Sequence, residues 1–81
     1  MRMMGKILLW NERESNGFIK DVLGNHYYFK FSSIKNKPED RKNKFVYFEI
    51  LETTNGNIRA RNIVFSPKKD IKTLTALFSI R

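Results

Sequence analysis

Asn16-Gly17-Phe18-Ile19-Lys20, then Leu23-Gly24-Asn25, then His26-Tyr27-Tyr28-Phe29-Lys30-Phe31 is the stretch on which the fold turns. Successive side chains of a strand point to opposite faces. In the first run Phe18 and Lys20 therefore share a face with Ile19 opposite. In the second, Tyr28 and Lys30 share a face with Tyr27 and Phe29 opposite. The Gly-Asn punctuation between them supplies a turn, so the two runs read as a hairpin. One side of that hairpin is apolar and needs a core. The other sets rings beside ammonium groups, a surface on which unpaired bases can stack while cations hold the connecting phosphates.

The flanking sequence repeats the pattern. Ile7-Leu8-Leu9-Trp10 reads as a first strand, and its unbroken apolar run fits a strand covered on both sides at the junction of two packed sheets. Asn11 to Asn16 is a polar turn, and Phe31-Ser32-Ser33-Ile34 turns the chain again, tucking Ile34 beneath the core. Lys35 to Asn43 is charged and interrupted by Pro38, as in a surface loop, with Glu39 and Asp40 offsetting part of its positive charge. Lys44 to Glu52 is the clearest later strand, with Val46, Phe48 and Ile50 on one parity. Phe45 and Tyr47 lie on the other, where packing or an extended binding face accounts for them equally well. Asn55-Gly56 supplies the positive φ angles of a hairpin turn, after which Ile58, Ala60 and Asn62 alternate with Arg59 and Arg61 until Phe65.

Five short strands predict an all-β domain closed as a barrel, because an open sheet would leave an apolar face uncovered and two edges free. Ser66-Pro67 opens a different segment, with Ser as helix N-cap and Pro as first helical residue. Ile71, Leu74 and Leu77 or Phe78 follow at helical spacing and predict a short amphipathic helix over 68–78, although Thr73, Thr75 and Ile80 fit a strand. The organisation expected is a barrel over 1–65 and an extension over 66–81. The apolar stripe of that extension packs on the barrel or on a second subunit, which leaves a homodimer as one reading.

At 81 residues the chain is one domain, near the size at which a single core only just suffices. It has no cysteine and one histidine, His26, so neither a disulfide, a metal centre nor a cofactor is expected. The apolar run from Met1 to Trp10 is too short to span a bilayer and makes a poor secretory leader, so a cytoplasmic protein without a membrane partner is expected. Sixteen Lys and Arg stand against 8 Asp and Glu, a formal charge of +8 that favours polyanionic partners. Glu12 and Glu14 have strand-like spacing but sit in a solvated turn without a tuned proton affinity, so no enzyme is expected. The candidate binding residues are the rings of Trp10, Phe18, Tyr28 and Phe31 and the cations Lys20, Lys30, Arg59 and Arg61.

From about Gly5 to Phe65 the chain resembles the cold-shock domain family. Trp10-Asn11 is similar to that family's Trp, Phe and Asn at the end of the first strand, without the intervening Phe. Glu14-Ser15-Asn16-Gly17-Phe18-Ile19 stands where the family reads Lys-Gly-Phe-Gly-Phe-Ile. Tyr27-Tyr28-Phe29-Lys30-Phe31-Ser32-Ser33-Ile34 resembles Val-Phe-Val-His-Phe and the small polar segment after it. Lys44 through Ile50 resembles Val-x-Phe-x-Ile, and Ala60-Arg61-Asn62-Ile63 resembles Ala-x-Asn-Val. The resemblance implies a five-stranded OB-type barrel that binds single-stranded RNA or DNA through rings on its second and third strands. It also implies a role as an RNA chaperone or regulatory binder in gene regulation. Asn16 in place of a ring and Glu14 in place of a Lys imply weaker binding with a stronger dependence on salt. A protein-interaction barrel using the aromatic face or the C-terminal stripe is the alternative reading.

Overall fold

Ile7, Ile19, Phe29, Val46, Phe48, Ala60, Ile63 and Phe65 form one buried cluster, contributed by every strand of the sheet. No flat sheet of this length covers its own apolar face, and curling the sheet around that face solves the problem. The computed structural model describes residues 2–38 and 40–79 and shows that solution. Strands β1 (Met3–Asn11), β2 (Asn16–Asp21), β3 (His26–Lys30), β4 (Phe45–Glu52) and β5 (Ile58–Phe65) close into a barrel in the order β1-β2-β3-β5-β4. Neighbours are antiparallel except β3 and β5, which run parallel with Tyr28 in register with Arg59. The five-stranded barrel is thus as expected. Met1, Glu39, Ile80 and Arg81 lie outside the described residues, and with them the expectations placed on Glu39 as a loop counter-charge and on Ile80 in the C-terminal spacing.

Two bulges correct the alternation read from sequence. In β1 the register steps from Ile7↔Ile19 to Leu9↔Phe18, so Leu8 is an extra residue. Leu8 and Leu9 are consequently left 51% and 49% exposed, not covered on both sides. A bulge places an unpaired residue on one strand and bends it, which uncouples these leucines from the inward parity of Ile7. In β5 Asn62 and Ile63 stand against Phe48 alone, and Asn62 takes the left-handed φ of 50°. Inward parity therefore passes from Ala60 to Ile63, and Asn62 faces solvent instead of continuing the alternation.

Gly17 is required by packing. A Cβ there would collide with the Leu9 carbonyl and come within 2.8 Å of the Phe29 ring. The tight β2–β3 turn is held by Asp21, only 6% exposed, whose carboxylate accepts hydrogen bonds from Leu23 N, Asn25 N, Asn25 Nδ2 and the Tyr27 hydroxyl at 2.8–3.0 Å. Burial pushes this carboxyl's pKa up. The hydrogen bonds from Asn25, Tyr27 and Leu23 outweigh burial and hold it below the ordinary Asp value.

The C-terminal segment differs in detail from expectation. Ser66 is no helix cap: its Oγ is buried without a partner, and Pro67 precedes a 3-10 turn, Lys68–Asp70. Helix α1 then runs Ile71–Ser79. Leu74 is 2% exposed, the Phe78 ring lies 5.5 Å from that of Phe45, and the Tyr47 hydroxyl donates to Asp70 Oδ2 at 3.1 Å. Phe45 and Tyr47, the outward rings of β4, are thereby assigned to packing under this segment. The stripe is used on the chain's own barrel, which gives the homodimer reading no support. No helix among the described residues is long and apolar enough to cross a membrane.

Asp21→Asn should destabilise the fold by about 1–3 kcal/mol at neutral pH in urea titrations, because charge-assisted bonds to the turn are lost. Asp21's folded pKa is depressed, so its stabilisation is complete above the unfolded value of about 3.9 and disappears as pH falls through the lower folded value. The variant should therefore show a shallower acid limb of stability; an unchanged limb contradicts the assignment. Leu74→Ala should cost about 2–5 kcal/mol with no change in sedimenting mass. Unaltered stability would mean that α1 does not cover the barrel, and a fall in mass would return the stripe to a subunit interface.

Candidate nucleic-acid interface

Strand register arranges the outward side chains of β1, β2 and β3 in rows. Lys6, Lys20 and His26 form one, Leu9, Phe18 and Tyr28 the next, and Asn11, Asn16 and Lys30 the third. The middle row continues across the parallel pair to Arg59. Phe18 and Tyr28 meet edge to face, with ring centroids 5.8 Å apart at 68°, and Phe18 remains 37% exposed. This geometry is favourable between rings and leaves π-surface open. Asn16 adds no ring, but its Nδ2 donates to the Tyr28 hydroxyl at 3.4 Å.

Trp10 and Phe31 form a second aromatic group. Their rings stack at 4.2 Å and 27°, while Trp10 also lies 6.1 Å from Phe29 and 6.4 Å from Phe65. Trp10 thus closes one end of the core and still presents 40% of its surface. Phe31 reaches it because β3 ends at Lys30 and a 3-10 turn, Phe31–Ser33, begins. Ser15, at φ 56°, offers its carbonyl to the Phe31 N–H at 2.9 Å, tying that turn to the β1–β2 loop. In the same loop Glu12 Oε1 accepts the indole N–H of Trp10 at 2.9 Å, setting a carboxylate beside the ring.

The cations divide. Lys20 and Lys30 flank the Phe18–Tyr28 pair on the outward face. Lys6 is in register with Lys20, and its ammonium lies 5.9 Å over the Phe45 ring on the neighbouring strand β4. Sequence reasoning did not single out Lys6, because it reads the first strand from Ile7, whereas β1 begins at Met3. Arg59 is half-buried beside Tyr28, and its Nε makes no hydrogen bond. Arg61 is not brought to the rings: its Nε lies 3.6 Å from Glu49 Oε1 on β4. Glu49 also accepts from Asn62 Nδ2 at 2.9 Å, and that bond, against the opposing effect of desolvation and with help from Arg61, keeps its carboxyl below the usual range.

The loop after Ile34 is more than a solvated charge run. Ile34 bridges Ile63, Lys35 N donates to Ile63 O at 2.7 Å, and Asn36 Oδ1 accepts the Phe65 N–H at 2.8 Å. At its far end the buried Asn43 donates to Ser66 O and accepts from Phe45 N. Pro38 then sits between two clefts that share Trp10 and Phe65. One, of about 380 Å³, includes Phe31, Lys35 and Lys37; the other, of about 300 Å³, includes Arg41 and Lys44. The anchoring asparagines carry no periodic signal, so this arrangement was not legible in sequence. Among the described residues no group of three or more His, Cys, Asp or Glu is placed to hold a metal ion.

No protein-family model and no curated protein matches this sequence. Among solved structures the chain is similar to the "drosophila Unr CSD456" structure, which holds cold-shock domains of that protein, at 20% identity and a TM-score of 0.65. The match covers 84% of this chain and 28% of that one, so the chain spans little more than a quarter of its length. The likeness places the fold in the cold-shock-like, OB-type class of closed barrels.

Phe31→Ala should uncover the stacked face of Trp10, the only tryptophan of the chain. Its emission should move to longer wavelength and become more accessible to iodide quenching. Unchanged emission and quenching would contradict the stack.

Proposed function

We propose that this chain binds single-stranded nucleic acid, RNA before DNA, and acts as an RNA chaperone or regulatory binder. The observation that carries the reading is the pairing of Phe18 with Tyr28 on an outward face flanked by Lys20 and Lys30. Unpaired bases stack on these two rings and on the open surface of the Trp10–Phe31 stack, since any base offers a π-face and none needs a sequence code. Lys20, Lys30 and Lys6 hold the connecting phosphates, and Arg59 adds charge beside Tyr28. Arg61 contributes less, because Glu49 already engages it. The likeness of the fold to cold-shock domains supports the same reading.

Duplexes hide base faces, so binding selects open strands and shifts structured RNA toward them by mass action, without covalent chemistry. Asn16 in place of a ring removes one stacking platform, while Glu12 and Glu14 repel phosphates near Trp10. Affinity therefore leans on the lysines and falls steeply with salt. A protein-binding barrel is the second reading, and the half-exposed Leu8 and Leu9 beside Phe18 favour it.

Titration with matched single-stranded RNA, single-stranded DNA and duplexes separates the two. Phe18→Ala and Tyr28→Ala should each weaken single-strand binding by about 1–3 kcal/mol. Lys20→Ala or Lys30→Ala should shallow the log-affinity against log-salt slope by roughly 0.7 for each phosphate that the variant no longer neutralises. Absence of oligonucleotide binding at low salt would favour a protein partner, and unchanged affinity in folded ring variants would remove Phe18 and Tyr28 from the site.

A further inference from the structure

The cleft on the β1–β4 side of Pro38 shares Trp10 with the binding face just described and extends beyond it. Ile7, Phe65 and Trp10 give it an apolar lining, and the exposed Arg41 and Lys44 stand at its rim. Asn43, its uncharged polar neighbour, has both ends of its amide engaged, with Ser66 O at 2.8 Å and Phe45 N at 2.9 Å. Neither rim cation forms an ion pair among the described residues, and no described carboxylate lines the cleft. Both are held in place by backbone. Lys44 O accepts the Ile7 N–H at 2.7 Å, and the Asp40–Asn43 turn carries Arg41, with Lys42 N on Asp40 Oδ1 and Asn43 N on Asp40 O, each at 2.9 Å.

An apolar recess of about 300 Å³ has room for a planar base, and the two cations at its mouth, without an ion pair among the described residues, suit an anion from outside. Trp10 belongs both to this recess and to the aromatic face, so the two are continuous. We propose that the cleft is a further nucleotide site, taking one base against Ile7, Trp10 and Phe65 and the adjoining phosphate on Arg41 and Lys44 as a single strand passes Trp10 onto the β1–β4 side. The proposal rests on the single-strand reading above. It lengthens the bound strand by a nucleotide.

The test is the affinity of oligothymidylates lengthened one nucleotide at a time, for the wild-type chain and for Arg41→Ala/Lys44→Ala. Both side chains are exposed, so the variant should keep the wild-type melting temperature and Trp10 emission. Up to a certain length the two proteins should bind alike. One added nucleotide should then strengthen wild-type binding about fivefold or more, the effect of stacking one base. The variant should miss that step, and its salt slope should become shallower only for strands beyond that length. Equal loss at every length, or no loss, overturns the site while leaving the parent reading intact. Failure of the wild-type chain to bind any length at low salt overturns both. Thymidine monophosphate as competitor supplies the remaining arm: if it occupies the cleft as readily as the extended strand does, the site takes free nucleotides and the strand assignment is overturned.

Discussion

Ile19 and Phe29 are fully buried, and Phe29 reaches its place only because Gly17 has no side chain. With side chains alternating strictly along β2 and β3, burying these two residues sends Phe18, Lys20, Tyr28 and Lys30 outward. A slip of one residue would exchange the sets, placing two lysines in the core and two large apolar groups in water. The apolar cost of that exchange is what fixes the register, and register is what brings Phe18 opposite Tyr28 and Asn16 opposite Lys30. The Gly-Phe-Ile triplet is thus first a packing device. Its outward ring is a consequence of how the core is built.

The remaining elements sort the barrel surface into different uses. Helix α1 and the 3-10 turn before it cover Phe45 and Tyr47 on β4, so two rings that could have competed for a ligand are withdrawn. Glu49 engages Arg61 and Asn62 on the β4–β5 side. What stays open is the β1–β2–β3 face, with its rings, and the end of the barrel under the loop that carries Pro38. Lys20 and Lys30 on that face, and Arg41 and Lys44, which form no ion pair among the described residues, place positive charge on those open regions. Glu12 beside Trp10 is the local exception. It holds the indole N–H at the cost of a negative charge close to where a phosphate would travel.

Period-two patterning made much of this legible. The hairpin of β2 and β3, the strand Phe45–Glu52 and the tucked Ile34 all follow from local parity and turn residues. Parity fails where the chain adds a residue. The bulges at Leu8 and Asn62 shift facing by one, and the sequence offers no mark for Leu8 and only a weak one for Asn62, whose tolerance of positive φ is shared by many turn residues. Phe31 shares the parity of Tyr27 and Phe29, which suits a core residue. The strand ends one residue before it, and its ring lies at the core's edge, stacked on Trp10 at 4.2 Å and near-parallel to Phe29 at 6.2 Å. Arg61 could be seen as basic, but its engagement with Glu49 depends on cross-strand register. The clefts beside Pro38 depend on asparagines reaching residues more than twenty positions away, pairings that no local pattern encodes.

Amide and indole chemical-shift mapping during titration with an unstructured single-stranded RNA tests the central claim most directly. The account predicts that shifts concentrate at Phe18, Lys20, Tyr28, Lys30, Phe31 and the Trp10 indole N–H, with α1 and the Glu49–Arg61 pair unmoved. Shifts confined to α1 and β4, or none at low salt, would contradict it.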